Sequence, residues 1–143
     1  MLIEEMHELP GHLIRRAHQI SGALFAANLA GYDLTSVQYA AMVAVGSSPE
    51  SDATRLSELI AIDRATLGGV LDRLEAKGLL ARSPSSQDRR IKTVALTPAG
   101  EALLAEVEAK VLQAQADMLA PLNEAEQQSF IALLKKFVAS GPT

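Results

Sequence analysis

Cysteine is absent from the chain. That one absence excludes disulfides, thiolate zinc ligands, cysteine nucleophiles and thiol redox sensing together. No apolar run approaches the roughly 20 residues that a membrane helix needs. The opening residues, MLIEEMHELP, are acidic and reach proline early, unlike the basic and then apolar start of a secretory signal. There is no internal repeat, no low-complexity tract, no glycine-rich phosphate loop and no nucleophile motif. His7 and His12 are five apart and His12 and His18 six apart, so no pair has the i, i+4 spacing of a helical zinc site. We therefore expect a cytoplasmic protein that is not an enzyme and carries no metal and no cofactor.

What is present suffices for a core. Apolar residues make up 48% of the 143, charged residues 21%, and wholesale disorder is excluded. The length fits one globular domain or two small ones. The net charge of −4 weakly opposes a nucleic-acid partner, but the average conceals a pattern. Residues 1–52 hold two basic against six acidic residues, a balance of −4, and residues 93–143 balance at −3. Between them, residues 53–92 hold Arg55, Arg64, Arg73, Lys77, Arg82, Arg89, Arg90 and Lys92 against five acids, a balance of +3.

Periodicity predicts mostly helix. After Pro10, the residues Leu13, Ile14, Ala17, Ile20, Leu24 and Phe25 recur at three- and four-residue spacing and form one apolar stripe. Gly31 and Asp33 interrupt it, and Thr35 with Gln38 has capping-box spacing for a second helix that ends at Gly46. A short helix over about Thr54–Ile60 leads to Asp63, a good cap. The next helix, over 64–77, has Leu67, Val70, Leu71 and Leu74 as its core set and Gly78 as its stop. This tight pair is a helix-turn-helix arrangement. Leu79–Ser83 and Ile91–Leu96 then read as a β-hairpin with a long, polar, basic tip, a wing. Thr97-Pro98 starts a long helix to about Leu119, Pro121 breaks it, and Asn123 with Glu126 starts a final one.

This order resembles the MarR family of winged-helix transcriptional regulators. The resemblance rests on Leu34-Thr35-x-x-Gln38-Tyr39, on Arg64 to Leu79 (RATLGGVLDRLEAKGL), on Asp88-Arg89-Arg90 and on Leu96-Thr97-x-x-Gly100. The implied fold is mainly α with a small β-hairpin wing. Residues 1–47 and 98–143 would form a helical dimerisation region, and 48–97 a winged helix-turn-helix domain. The implied function is a homodimeric repressor that binds a palindromic operator on double-stranded DNA through recognition helix 64–77 and wing 84–92.

On the 64–77 helix the face opposite the leucines is Ala65, Gly69, Asp72 and Ala76, flanked by Thr66, Gly68 and Arg73. Two glycines inside a helix cost about 1 kcal/mol each relative to alanine. Close packing against another helix would explain them, and so would close approach to the major-groove wall. The DNA contacts expected are Arg64 near phosphates, Thr66, Gly69 and Arg73 in the groove, and Arg89 and Arg90 in the wing. The resemblance implies that a wing arginine enters the minor groove while Asp88 supports the tip.

Regulators of this family commonly respond to small, often aromatic, acids bound between the dimer helices and the winged domain. The stretch Pro10-Gly11-His12-Leu13-Ile14-Arg15-Arg16, with Asp63–Val70, resembles a branch associated with repression of aromatic-acid breakdown, nicotinate-pathway repressors among them. An aromatic or heteroaromatic carboxylate, hydroxynicotinate-like, is the effector implied. On a helical wheel His12 and Arg16 share one edge of the apolar stripe, His18 lies on the other, and Arg15 points away. A cation bordering an apolar pocket suits such an acid. His12, Arg16, Gln19, Tyr39 and Met42 are the candidate contacts. For Arg16 the alternative is an ion pair across the dimer, for the histidines a packed interface position, and for Tyr39 and Met42 the core. The rival reading of the whole chain is a winged-helix module that binds protein and responds to no ligand.

Overall fold

The structure, a computed structural model, describes residues 1–142. Thr143, the last residue of the expected dimerisation region, lies outside the described residues. The elements are α1 (Ile3–His7), α2 (Pro10–Asn28), α3 (Ser36–Ser47), α4 (Ala53–Ile60), α5 (Arg64–Ala76), β1 (Leu80–Pro84), β2 (Lys92–Leu96), α6 (Pro98–Leu119) and α7 (Glu124–Ala139). Among the described residues no helix is long and apolar enough to cross a membrane.

Side-chain caps explain most boundaries. Thr35 Oγ1 accepts from the Gln38 N–H at 3.1 Å, and Gln38 Oε1 accepts from the Thr35 N–H at 3.2 Å, closing the box that starts α3. Asp52 accepts from the Arg55 N–H for α4, Asp63 from Thr66 for α5, and Asn123 from Glu126 for α7. Gly31 and Gly78 take the left-handed backbone, at φ 91° and 75°, where the chain leaves α2 and α5. The sequence left residues 1–9 unassigned, whereas five of them form α1. Its first turn is held by the Glu5 carboxylate, which accepts from the Leu2 N–H at 2.7 Å. β1 begins one residue later than its apolar run suggested, because Leu79 closes the end of α5 by donating to Leu74 O.

The core lies where α3, α4 and α5 meet the hairpin. Met42, Leu56, Leu67, Leu71 and Leu74 are fully enclosed there, as is Val107 of α6 in the same cluster. Phe25 and Leu29 of α2 and Val111 of α6 extend it towards the long helices. β1 and β2 pair antiparallel with Leu80 opposite Leu96 and Pro84 opposite Lys92, and Leu80 and Val94 point into the core. Lys77, just past α5, donates to Asp33 O and to the buried Gln38 Oε1, so the end of α5 is tied to the loop before α3. Asn28 of α2 donates to Asp117 of α6 at 3.0 Å.

The remaining helices keep apolar faces uncovered. Leu13, Ile14 and Ile20 on α2 are exposed, as are Leu133, Leu134, Phe137 and Val138 on α7, which buries none of its residues. The periodic stripe of α2 thus enters the core only at its C-terminal end.

Candidate nucleic-acid interface and effector pocket

The α5 helix presents its solvent face beside the wing. Arg64, Thr66 and Arg73 are exposed, and Gly69 is half-buried. Among the described residues, a methyl group built on Gly68 or on Gly69 would meet nothing within 4 Å beyond its own stretch of helix. Intramolecular close packing therefore does not account for the glycine pair. The Thr66 hydroxyl donates to Asp63 Oδ2 at 2.7 Å, so it keeps its lone pairs and methyl for an outside partner but not its proton. The Thr66 N–H and hydroxyl together hold the Asp63 carboxyl below the usual range, which keeps the cap charged.

The wing tip is organised by one carboxylate. Asp88 Oδ1 accepts from the Arg90 backbone N–H at 3.0 Å and from Nε at 3.1 Å, and Oδ2 accepts from Nη2 at 3.0 Å. The Arg90 guanidinium therefore pairs bidentately while its side chain remains 90% exposed. It also holds the Asp88 carboxyl below its ordinary pKa. Ser85 accepts from the Gln87 and Asp88 N–H groups, and its own N–H donates to Ile91 O at 2.7 Å, so the turn is closed at its neck. Arg64, Arg73 and Arg89 have no ion-pair partner among the described residues.

A concavity of about 810 Å³ opens between the start of α4, the outer face of α5 and the wing. Arg64, Arg82, Arg90 and Lys92 line it. Arg82 and Lys92 escaped the sequence reading as site residues, because nothing in the order of residues says which side of a hairpin faces a helix earlier in the chain.

The candidate effector contacts fall into two groups. Arg16 donates to Gln19 Oε1 at 2.5 Å, both exposed on α2. One turn earlier Arg15 donates to His12 Nδ1 at 3.0 Å, and the His7 and His12 rings meet at 4.7 Å between centroids, tilted by 31°. Partial desolvation, then the charges of His7, Arg15 and Arg16, push the His12 pKa down. Arg15, expected to point away, thus engages the same edge as His12. Tyr39 lies elsewhere, against Phe25 at 6.1 Å. Phe25 is nine residues beyond Arg16, about 13 Å along the helix axis. Tyr39 borders a mostly apolar pocket of about 410 Å³ with Val43, Leu59 and Ile60. Met42 does not reach it. Fully enclosed in the core, it has no surface to offer a ring, which corrects its candidacy.

Comparison with known proteins agrees with this architecture. The MarR family model matches residues 34–92, from the start of α3 into β2. The HTH-type transcriptional repressor NicR of Pseudomonas putida is 33% identical over 136 residues, which covers 95% of this chain and 86% of that protein. Bordetella bronchiseptica BpsR, solved in work on the regulation of its DNA binding by 6-hydroxynicotinic acid, superposes with a TM-score of 0.89. It is 35% identical, over 94% of this chain and 96% of that one. A variant of E. coli MarR complexed with operator DNA superposes with a TM-score of 0.86 at 27% identity, over 96% of this chain and 98% of that one. With helix-turn-helix, wing and flanking long helices all shared with these proteins, the chain belongs to the MarR family of winged helix-turn-helix transcriptional regulators.

Proposed function

We propose that the chain is a cytoplasmic, homodimeric repressor of a palindromic operator, released by a small aromatic carboxylate of the hydroxynicotinate kind. The observation that carries the DNA half is the wing: an exposed arginine paired bidentately with Asp88, beside a helix with two glycines that have room around them. Arg64, Thr66, Gly69 and Arg73 face the major groove and the phosphates, and Arg89 and Arg90 reach the minor groove with Asp88 as support. Residues 1–47 with 98–143 form the dimerisation region and 48–97 the DNA-binding domain. The uncovered apolar side chains of α2 and α7 support that division, since a monomer would leave Phe137 60% exposed among other large apolar groups.

The effector half follows from chemistry and from likeness to NicR and BpsR. The apolar pocket at Tyr39 suits a flat ring. His12, Arg16 and Gln19, exposed on α2, supply the polar and cationic partners for its acid group. Nothing in the chain supplies catalysis in this reading.

Salt and effector together test it. Fluorescence anisotropy with duplexes from immediately upstream of its own gene should lose affinity steeply between roughly 50 and 200 mM salt. Hydroxynicotinate should release the DNA and give heat on titration into the protein alone. A salt-insensitive affinity for a protein partner, with no binding to any duplex, would favour the interaction-module reading instead.

The glycine pair offers a second check. Gly69→Ala should raise stability by up to about 1 kcal/mol, because helix propensity improves and nothing obstructs the methyl. It should weaken operator binding by about fivefold, because the methyl stands where the groove wall approaches. Improved stability with unchanged affinity would remove Gly69 from the interface.

A further inference from the structure

We propose that Arg82 and Asp72 form a latch that sets the angle of the wing against the recognition helix. Arg82 Nη1 lies 2.8 Å from Asp72 Oδ1, joining β1 to the outer face of α5. The Arg82 side chain is only 24% exposed, whereas Asp72 is 69% exposed. Neither has a second ion-pair partner among the described residues.

The hairpin needs such a hold. A two-stranded hairpin is marginal by itself and relies on what it packs against. Leu80 and Val94 anchor its base in the core, but beyond them the strands carry Ser83, Pro84, Lys92 and Thr93, none of them buried. Arg82, opposite Val94, is therefore the last side chain by which β1 grips α5. About 10 Å of strand runs on from it before the chain turns at Ser85. A swing of about 15° on that arm shifts the tip by about 3 Å, the length of a hydrogen bond. Arg90 would then miss its groove although its own pairing with Asp88 stayed intact.

The sign of the effect separates this idea from simple electrostatics. Asp72 puts a negative charge on the face offered to phosphates, so Asp72→Asn by charge alone should tighten DNA binding. The latch requires the reverse. The expected loss is about fivefold, near the ceiling for a solvent-screened pair.

The affinity arm rests on the operator-binding reading, so a second arm does not use DNA. Anisotropy on upstream duplexes and amide hydrogen exchange across β1 and β2 would be measured for wild type, Asp72→Asn, Arg82→Gln and the exchange of charges, Asp72→Arg with Arg82→Asp. We expect weaker binding and faster strand exchange in both single variants. The exchanged pair should return to within about twofold of wild type in affinity, because the attraction is restored with no change in net charge. Equal or tighter binding by Asp72→Asn overturns the latch, and so does unchanged hydrogen exchange. If wild type binds no duplex, the operator reading fails and the hydrogen-exchange arm alone decides the latch.

Discussion

Arg90→Ala is expected to weaken operator binding at least tenfold and leave the fold intact. Two losses act in the same direction. The Arg90 side chain, 90% exposed and the sole ion-pair partner of Asp88 among the described residues, no longer reaches the groove. Asp88 then stands at the tip as an unpaired carboxylate facing phosphates. A homodimer carries two wings, so about threefold per wing is already about tenfold for the complex. Arg90→Lys should fall between, since lysine keeps the charge but cannot make the bidentate fork that Nε and Nη2 make with Asp88. The anisotropy titration should also give a shallower salt slope for Arg90→Ala, by about one unit for each phosphate the protein no longer neutralises. An affinity within twofold of wild type would remove Arg90 from the interface.

Gly100→Ala should cost about 3 kcal/mol or more of folding stability, a large share of the roughly 5–15 kcal/mol that holds a domain together. A Cβ at residue 100 would lie 2.2 Å from Leu79 O. That carbonyl has no room to retreat, because it accepts from the Thr97 N–H at 3.1 Å. The Thr97 hydroxyl in turn donates to Gly78 O at 2.6 Å and accepts from the Gly100 N–H at 3.1 Å. The Leu-Thr-x-x-Gly signature is thus a structural joint: it seats the first turn of α6 directly on the backbone leaving α5. Gly46→Ala is the informative control. Its methyl would meet Leu96 Cδ1 at 2.9 Å, the far end of a side chain that can rotate, so the loss should be smaller. Urea unfolding would show the Gly100→Ala midpoint moving well below that of Gly46→Ala at an unchanged slope. Equal midpoints for the two variants would refute the joint.

Helix boundaries were legible from sequence wherever a side chain caps its own helix. Thr35 with Gln38, Asp63, Thr97 with Pro98, and Asn123 with Glu126 all act within three residues, and the structure starts α3, α5, α6 and α7 there. α1 was not legible, since five residues carry too little periodicity and its N-cap is Leu2, which has no capping side chain of its own, so that Glu5 reaches back to the Leu2 N–H instead. Ala61, left-handed at φ 55° without being glycine, gave no signal either. The wing's Asp-Arg-Arg was readable as a basic tip, but not the way Asp88 grips Arg90. The effector candidates were the least legible. A helical wheel groups His12 with Arg16, but it says nothing of Tyr39, which packs near the far end of the same helix.

The sequence by itself determined the order of elements, the caps, the apolar stripes, the basic middle between acidic ends and, through its lack of cysteine, a chemistry without thiols. These are local properties, set by hydrogen bonds a few residues long and by the 3.6-residue period. Only the tertiary structure decided that Met42 is core while Tyr39 borders a pocket, that among the described residues there is room for a methyl on either of the paired glycines, and that Arg82 of the wing meets Asp72 of α5. Those facts depend on the angles at which helices and hairpin pack around a shared core, and packing angles follow from the joint shape of many side chains rather than from any one stretch of them.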